Sequence, residues 1–100
     1  MPDDFGIWLT ALIGPDGDVG EEVFGVTACS PQWLARTTVT ENTKGFEFVR
    51  HRLVVSRWDP DLLRRAIGDL CRHTSGSDWP EVAAKLSHYL AWEFEDYTSQ

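Results

Sequence analysis

The chain has 100 residues, 42% of them apolar and twelve of them aromatic, and a formal net charge of −7. That is enough apolar mass for one domain with a packed core and too much for a disordered chain. No apolar run approaches the roughly 20 residues that a membrane-spanning helix needs, and the start MPDDFGIW lacks the basic-then-apolar pattern of a secretion signal. Two cysteines, Cys29 and Cys71, are too few for a disulfide scaffold and read as reduced thiols of a cytoplasmic protein.

The charge is uneven. Residues 1–35 hold six acids and no base, residues 36–73 are net +3, and residues 74–100 are net −4. Phosphate contacts require Lys and Arg, so an acidic chain is a poor direct binder of nucleic acid and a better match for a basic protein.

In chain order, Phe5, Ile7, Leu9, Ala11 and Ile13 form a period-2 apolar stripe, which predicts a strand. Trp8 and Leu12 lie on its opposite face and leave a homodimer contact open there. The segment 14–22, GPDGDVGEE, predicts a turn, and Val23–Cys29 resumes as a second strand with Phe24, Val26 and Ala28 on one side. Together they predict an antiparallel hairpin. The loop is acidic, but it does not fit a calcium loop. Counted from Asp16, the fifth position is Gly20, which has no side-chain oxygen, the sixth is Glu21 where the turn needs Gly, and the twelfth is Thr27 where a bidentate Glu is needed.

Ser30-Pro31 is a cap followed by a proline at the first helical position, which predicts one helical turn that tucks Trp33 and Leu34 onto the sheet, with Trp33 in the core. Residues 37–45 read as a loop. Residues 46–58, FEFVRHRLVVSRW, predict a third strand whose apolar phase shifts near Arg50–Arg52, as a bend or bulge would make it do. Asp59-Pro60 and Asp78-Trp79-Pro80 are two further helix starts. Leu62, Leu63, Ala66, Ile67, Leu70 and Cys71 follow the first at helical spacing. Trp79, Val82, Ala83, Leu86, Leu90 and Phe94 follow the second. The expected fold class is α+β: a small antiparallel sheet of about three strands, two C-terminal helices on one face and one short helical turn, in a single domain over residues 1–100.

The end of the chain, Trp92-Glu93-Phe94-Glu95-Asp96-Tyr97, alternates aromatics with carboxylates. Trp92 and Phe94 would point roughly 200° apart on a helix. Either the helix stops near Trp92, or an aromatic and its acidic neighbours face outward as a binding surface. No nucleophile elbow, phosphate loop or dinucleotide glycine pattern occurs. His51, His73 and His88 are scattered, and Cys71 and His73 have no second pair at zinc spacing. The residues therefore point to a protein without a catalytic set and without a metal or other cofactor.

Three runs resemble one family: Ile13-Gly-Pro-Asp-Gly-Asp-Val-Gly-Glu-Glu-Val-Phe-Gly-Val-Thr-Ala-Cys29, then Ser30-Pro31-Gln32-Trp33-Leu34, and finally Trp79 through Leu86-Ser87 to Trp92-Glu93-Phe94-Glu95-Asp96-Tyr97. Together they resemble the immunity protein 8 family of bacterial polymorphic toxin systems over nearly the whole chain. The chain departs from that pattern at Gly25 and at Leu90-Ala91. The resemblance implies a cytoplasmic, non-catalytic antidote that binds a cognate secreted or contact-delivered toxin domain and covers its active site or a nearby surface. A nuclease toxin with a basic cleft suits an acidic cover. The expected contact residues are Trp92, Glu93, Glu95, Asp96 and Tyr97, with Asp16, Asp18, Glu21 and Glu22 second, because aromatic anchors in an acidic rim suit a tight interface. The alternative is an acidic homo-oligomeric or small-molecule-binding regulatory module.

Overall fold

The period-2 stripe is a strand, β1 (Gly6–Ile13), in the computed structural model of the protein, which describes residues 4–15, 20–41 and 44–93. It pairs antiparallel with β2 (Glu22–Cys29), with Leu9 opposite Val26 and Ala11 opposite Phe24. Odd residues of β1 and even residues of β2 therefore share the inner face. Phe24, Val26 and Ala28 are buried there, while Trp8 and Leu12 stay exposed on the other side.

Ser30 ties the two strands to the first helical turn, α1 (Pro31–Ala35). Its buried hydroxyl oxygen accepts from the Phe5 amide at 3.1 Å and from the Trp33 amide at 3.2 Å. Trp33 does not enter the core. It is half-buried and lies on the outer face of the sheet against Gly6, where a Cβ would meet its ring at 2.1 Å. The Arg52 guanidinium sits 5.4 Å from its ring centroid, within cation–π range. Arg36–Glu41, which overlaps the expected loop at 37–41, continues α1 as a wide π-type helical segment.

The third strand differs from its prediction in length and direction. β3 spans only Arg52–Val54 and runs parallel to β2, so the sheet is mixed rather than antiparallel. The apolar residues Phe46, Phe48 and Val49 precede it exposed. The expected bend is present at His51, whose φ of 59° is left-handed. A short strand β4 (Ala91–Trp92) joins the same edge of β2 in the antiparallel sense, with Trp92 opposite Phe24 and Ala91 opposite Gly25. Gly25 and Ala91, both departures from the resembled pattern, thus face each other.

Asp59 and Asp78 cap α2 (Pro60–Arg72) and α3 (Trp79–Leu86), each with proline in the first turn. The apolar stripes of these helices meet the inner sheet face. Phe24, Val26, Ala83, Leu86 and Leu90 form one buried cluster, and Phe5, Ala28, Val55 and Leu63 a second. The last helix is shorter than its periodicity predicts. A continuing helix would use the Ser87 carbonyl to accept the Ala91 amide. That carbonyl instead accepts from Arg50 Nη2 at 3.2 Å and lies 3.0 Å from His51 Nε2. Leu90 is still buried, but from a turn.

Candidate partner-binding surface

Glu22 points inward on β2, in phase with Phe24, Val26 and Ala28. A carboxylate on an apolar stripe must find donors or lose more in desolvation than it gains. It finds two indoles: Trp92 donates from Nε1 to Oε1 at 2.8 Å, and Trp79 donates from Nε1 to Oε2. Phe24 lies beside both rings, stacked with Trp92 at 6.1 Å and edge-on to Trp79 at 6.3 Å. The start of α3, the end of the hairpin and the C-terminal strand are thereby held at one end of the sheet.

The sequence treats the acidic loop and the C-terminal run as separate surfaces. Glu22 and Trp92 bring them together, but both are half-buried and bonded to each other, which makes them the frame of the surface rather than its free contacts. Glu21 and Glu93, the neighbours of that pair, are exposed. Asp16, Asp18, Glu95, Asp96, Tyr97 and Phe94 lie outside the described residues. Trp79 was missed as part of this site. The available signal was Glu22 itself, a carboxylate whose β2 parity faces the core and therefore demands uncharged donors.

Among the described residues, no group of three or more His, Cys, Asp or Glu is placed to hold a metal ion, and no helix is long and apolar enough to cross a membrane. Both cysteines are free thiols. Burial raises the pKa of Cys29, against an opposing pull from Arg52, and burial likewise raises that of Cys71 against Arg72. Neither is tuned as a nucleophile, which would need a lowered value.

No curated protein and no solved structure is significantly similar to the chain. The family described as Immunity protein 8 matches residues 1–97. Such a family implies the binding and neutralising of a toxin, generally without catalysis. The chain belongs to the immunity protein 8 family.

Proposed function

We propose that this protein is a non-catalytic, cytoplasmic antidote that binds and neutralises a cognate secreted or contact-delivered toxin domain. The family match over residues 1–97 carries the reading. The contact surface in this proposal centres on Glu21 and Glu93, which flank the Trp79–Glu22–Trp92 frame, and the contact residues expected from the sequence alone, Asp16, Asp18, Glu95, Asp96 and Tyr97, belong to the same proposal. The −7 charge supports a basic partner such as a nuclease domain, because acids at the rim speed and orient its approach. The test is a titration of the purified toxin domain encoded beside this chain. Its activity should fall to an end point at a fixed stoichiometry; activity unchanged at saturating antidote rejects the reading.

One observation favours the second reading, a small-molecule-binding regulatory module. A cavity of about 370 Å³ has Arg50, His51, His88 and Tyr89 among its lining and Val26, Ile67 and Leu90 as apolar wall. That chemistry suits a small anion with an apolar body, and a ligand-dependent rise in Tm that Arg50→Ala removes would support it.

A further inference from the structure

β1 is an edge strand. Among the described residues it pairs with β2 alone. Its eight residues, GIWLTALI, contain no charge and no proline. Those are the usual devices that keep an exposed edge from pairing with another chain. The edge also borders a groove. A mostly apolar cavity of about 510 Å³ lies between β1 residues Leu9 to Ile13 and the α2 residues Leu63, Ile67, Gly68 and Cys71.

We propose that a second copy of this chain occupies this edge, with the two β1 strands pairing antiparallel about a two-fold axis at Thr10 to make one continuous sheet. The strand is self-complementary about that residue. Ile7 would face Ile13 of the second copy, Trp8 would face Leu12, Leu9 would face the smaller Ala11, and Thr10 would face Thr10. Thr–Thr cross-strand pairs are favourable. The odd-numbered side chains of each β1 would cap the other copy's groove.

The same axis suits α2. Leu9 packs against the cluster that contains Leu63, Ile13 packs against the cluster that Ile67 and Cys71 also border, and all five line the same groove, so β1 and α2 form its two walls. Antiparallel α2 helices would then place Asp61 of one copy toward Arg72 of the other. The Arg72 guanidinium already reaches back over Gly68 on the groove side, where a Cβ on Gly68 would meet Nη1 at 3.2 Å. Opposite charges meet at both ends of an isologous contact of this kind. The inference does not rest on the antidote reading.

Thr10 is exposed, so a charge there spares the fold and places like charges face to face on the axis. Sedimentation equilibrium of the purified chain should give twice 11.3 kDa at high concentration. Thr10→Lys and Thr10→Glu should each raise the dimer dissociation constant roughly tenfold or more with unchanged circular dichroism. An equimolar mixture of the two should restore the dimer. Asp61→Arg should weaken it, and the added Arg72→Asp should restore it, which gives a second arm should the variants at position 10 misfold. A wild-type monomer at every concentration overturns the proposal, as does a dimer indifferent to all of these changes. A monomer whose complex with the toxin domain is lost in Thr10→Lys also overturns it and assigns the edge to a toxin strand.

Discussion

Trp92 donates its indole N–H to Glu22 across 2.8 Å, although 70 residues separate them. Glu22 takes a second indole, from Trp79, on its other oxygen. One carboxylate therefore fastens the hairpin, the last helix and the C-terminal strand.

Replacing that carboxylate separates its two roles. In Glu22→Gln only one side-chain oxygen remains, and the amide N–H₂ faces an indole donor. We expect a loss of about 1 kcal/mol in urea unfolding, because a partly buried indole donor is left unpaired. In a double-mutant cycle, Glu22→Gln should cost less when Trp92 is already Phe. Additive costs would mean the bond contributes nothing.

Trp33 lies on Gly6 and Trp8 lies on Gly25, each so close that a Cβ would fall 2.1 Å from the ring. Gly6→Ala must push Trp33 out from beneath Arg52, and a loss of about 1–3 kcal/mol is expected, as for other overpacked sites. Gly25→Ala meets the far end of an exposed ring that can swing away, so it should cost less. Chemical unfolding of both variants checks the order, and Trp8→Ala should remove most of the cost at Gly25.

Asp59 and Glu81 contribute to the acid limb of stability. At Asp59 desolvation works against ionisation, but the Leu62 and Asp61 amides and Arg57 outweigh it and lower its pKa. The Ser77 amide and hydroxyl, with Lys85, lower that of Glu81. A carboxyl with a lowered folded pKa stabilises the fold above its ordinary unfolded value, and that contribution is lost as pH falls through the folded value. Asp59→Asn keeps a capping oxygen and loses the titration, as does Glu81→Gln for its own bonds. Midpoints of urea unfolding between neutral and acid pH should fall more steeply for the wild type than for either variant.

Cys29 is fully buried and its thiol pKa is raised, so it should resist iodoacetamide in the native protein and react once urea unfolds it. Cys71, partly exposed, should react at an intermediate rate. Mass spectrometry of timed samples reads both, and fast native labelling of Cys29 would contradict the packing of β2 against β3.

What could be read from the residues was local. Ser30, Asp59 and Asp78 each combine a capping oxygen with a nearby proline, and all three start helices. The alternation in β1 and β2 set the hairpin and its inner face. What could not be read was set by distant partners. Nothing near Ser87 says that Arg50 and His51 will take its carbonyl and end α3 early. The apolar phase of residues 46–58 is compatible with a long strand, yet β3 pairs only with Thr27, Ala28 and Cys29 of β2, and farther along the same edge Phe24 and Gly25 pair with β4 instead. In the proposed contact surface, the choice of Trp92 and Glu22 followed from their chemistry, while their bond to each other is a consequence of the fold.

An antidote must protect the cell that makes it. The most direct measurement is the growth of cells that express the toxin domain encoded beside this chain, with and without the chain. The toxin domain alone should stop growth, and the wild-type chain should restore it. Glu21→Lys with Glu93→Lys should restore it less while folding normally. Continued arrest, with both proteins folded and abundant, would mean that the chain is not the antidote of that toxin.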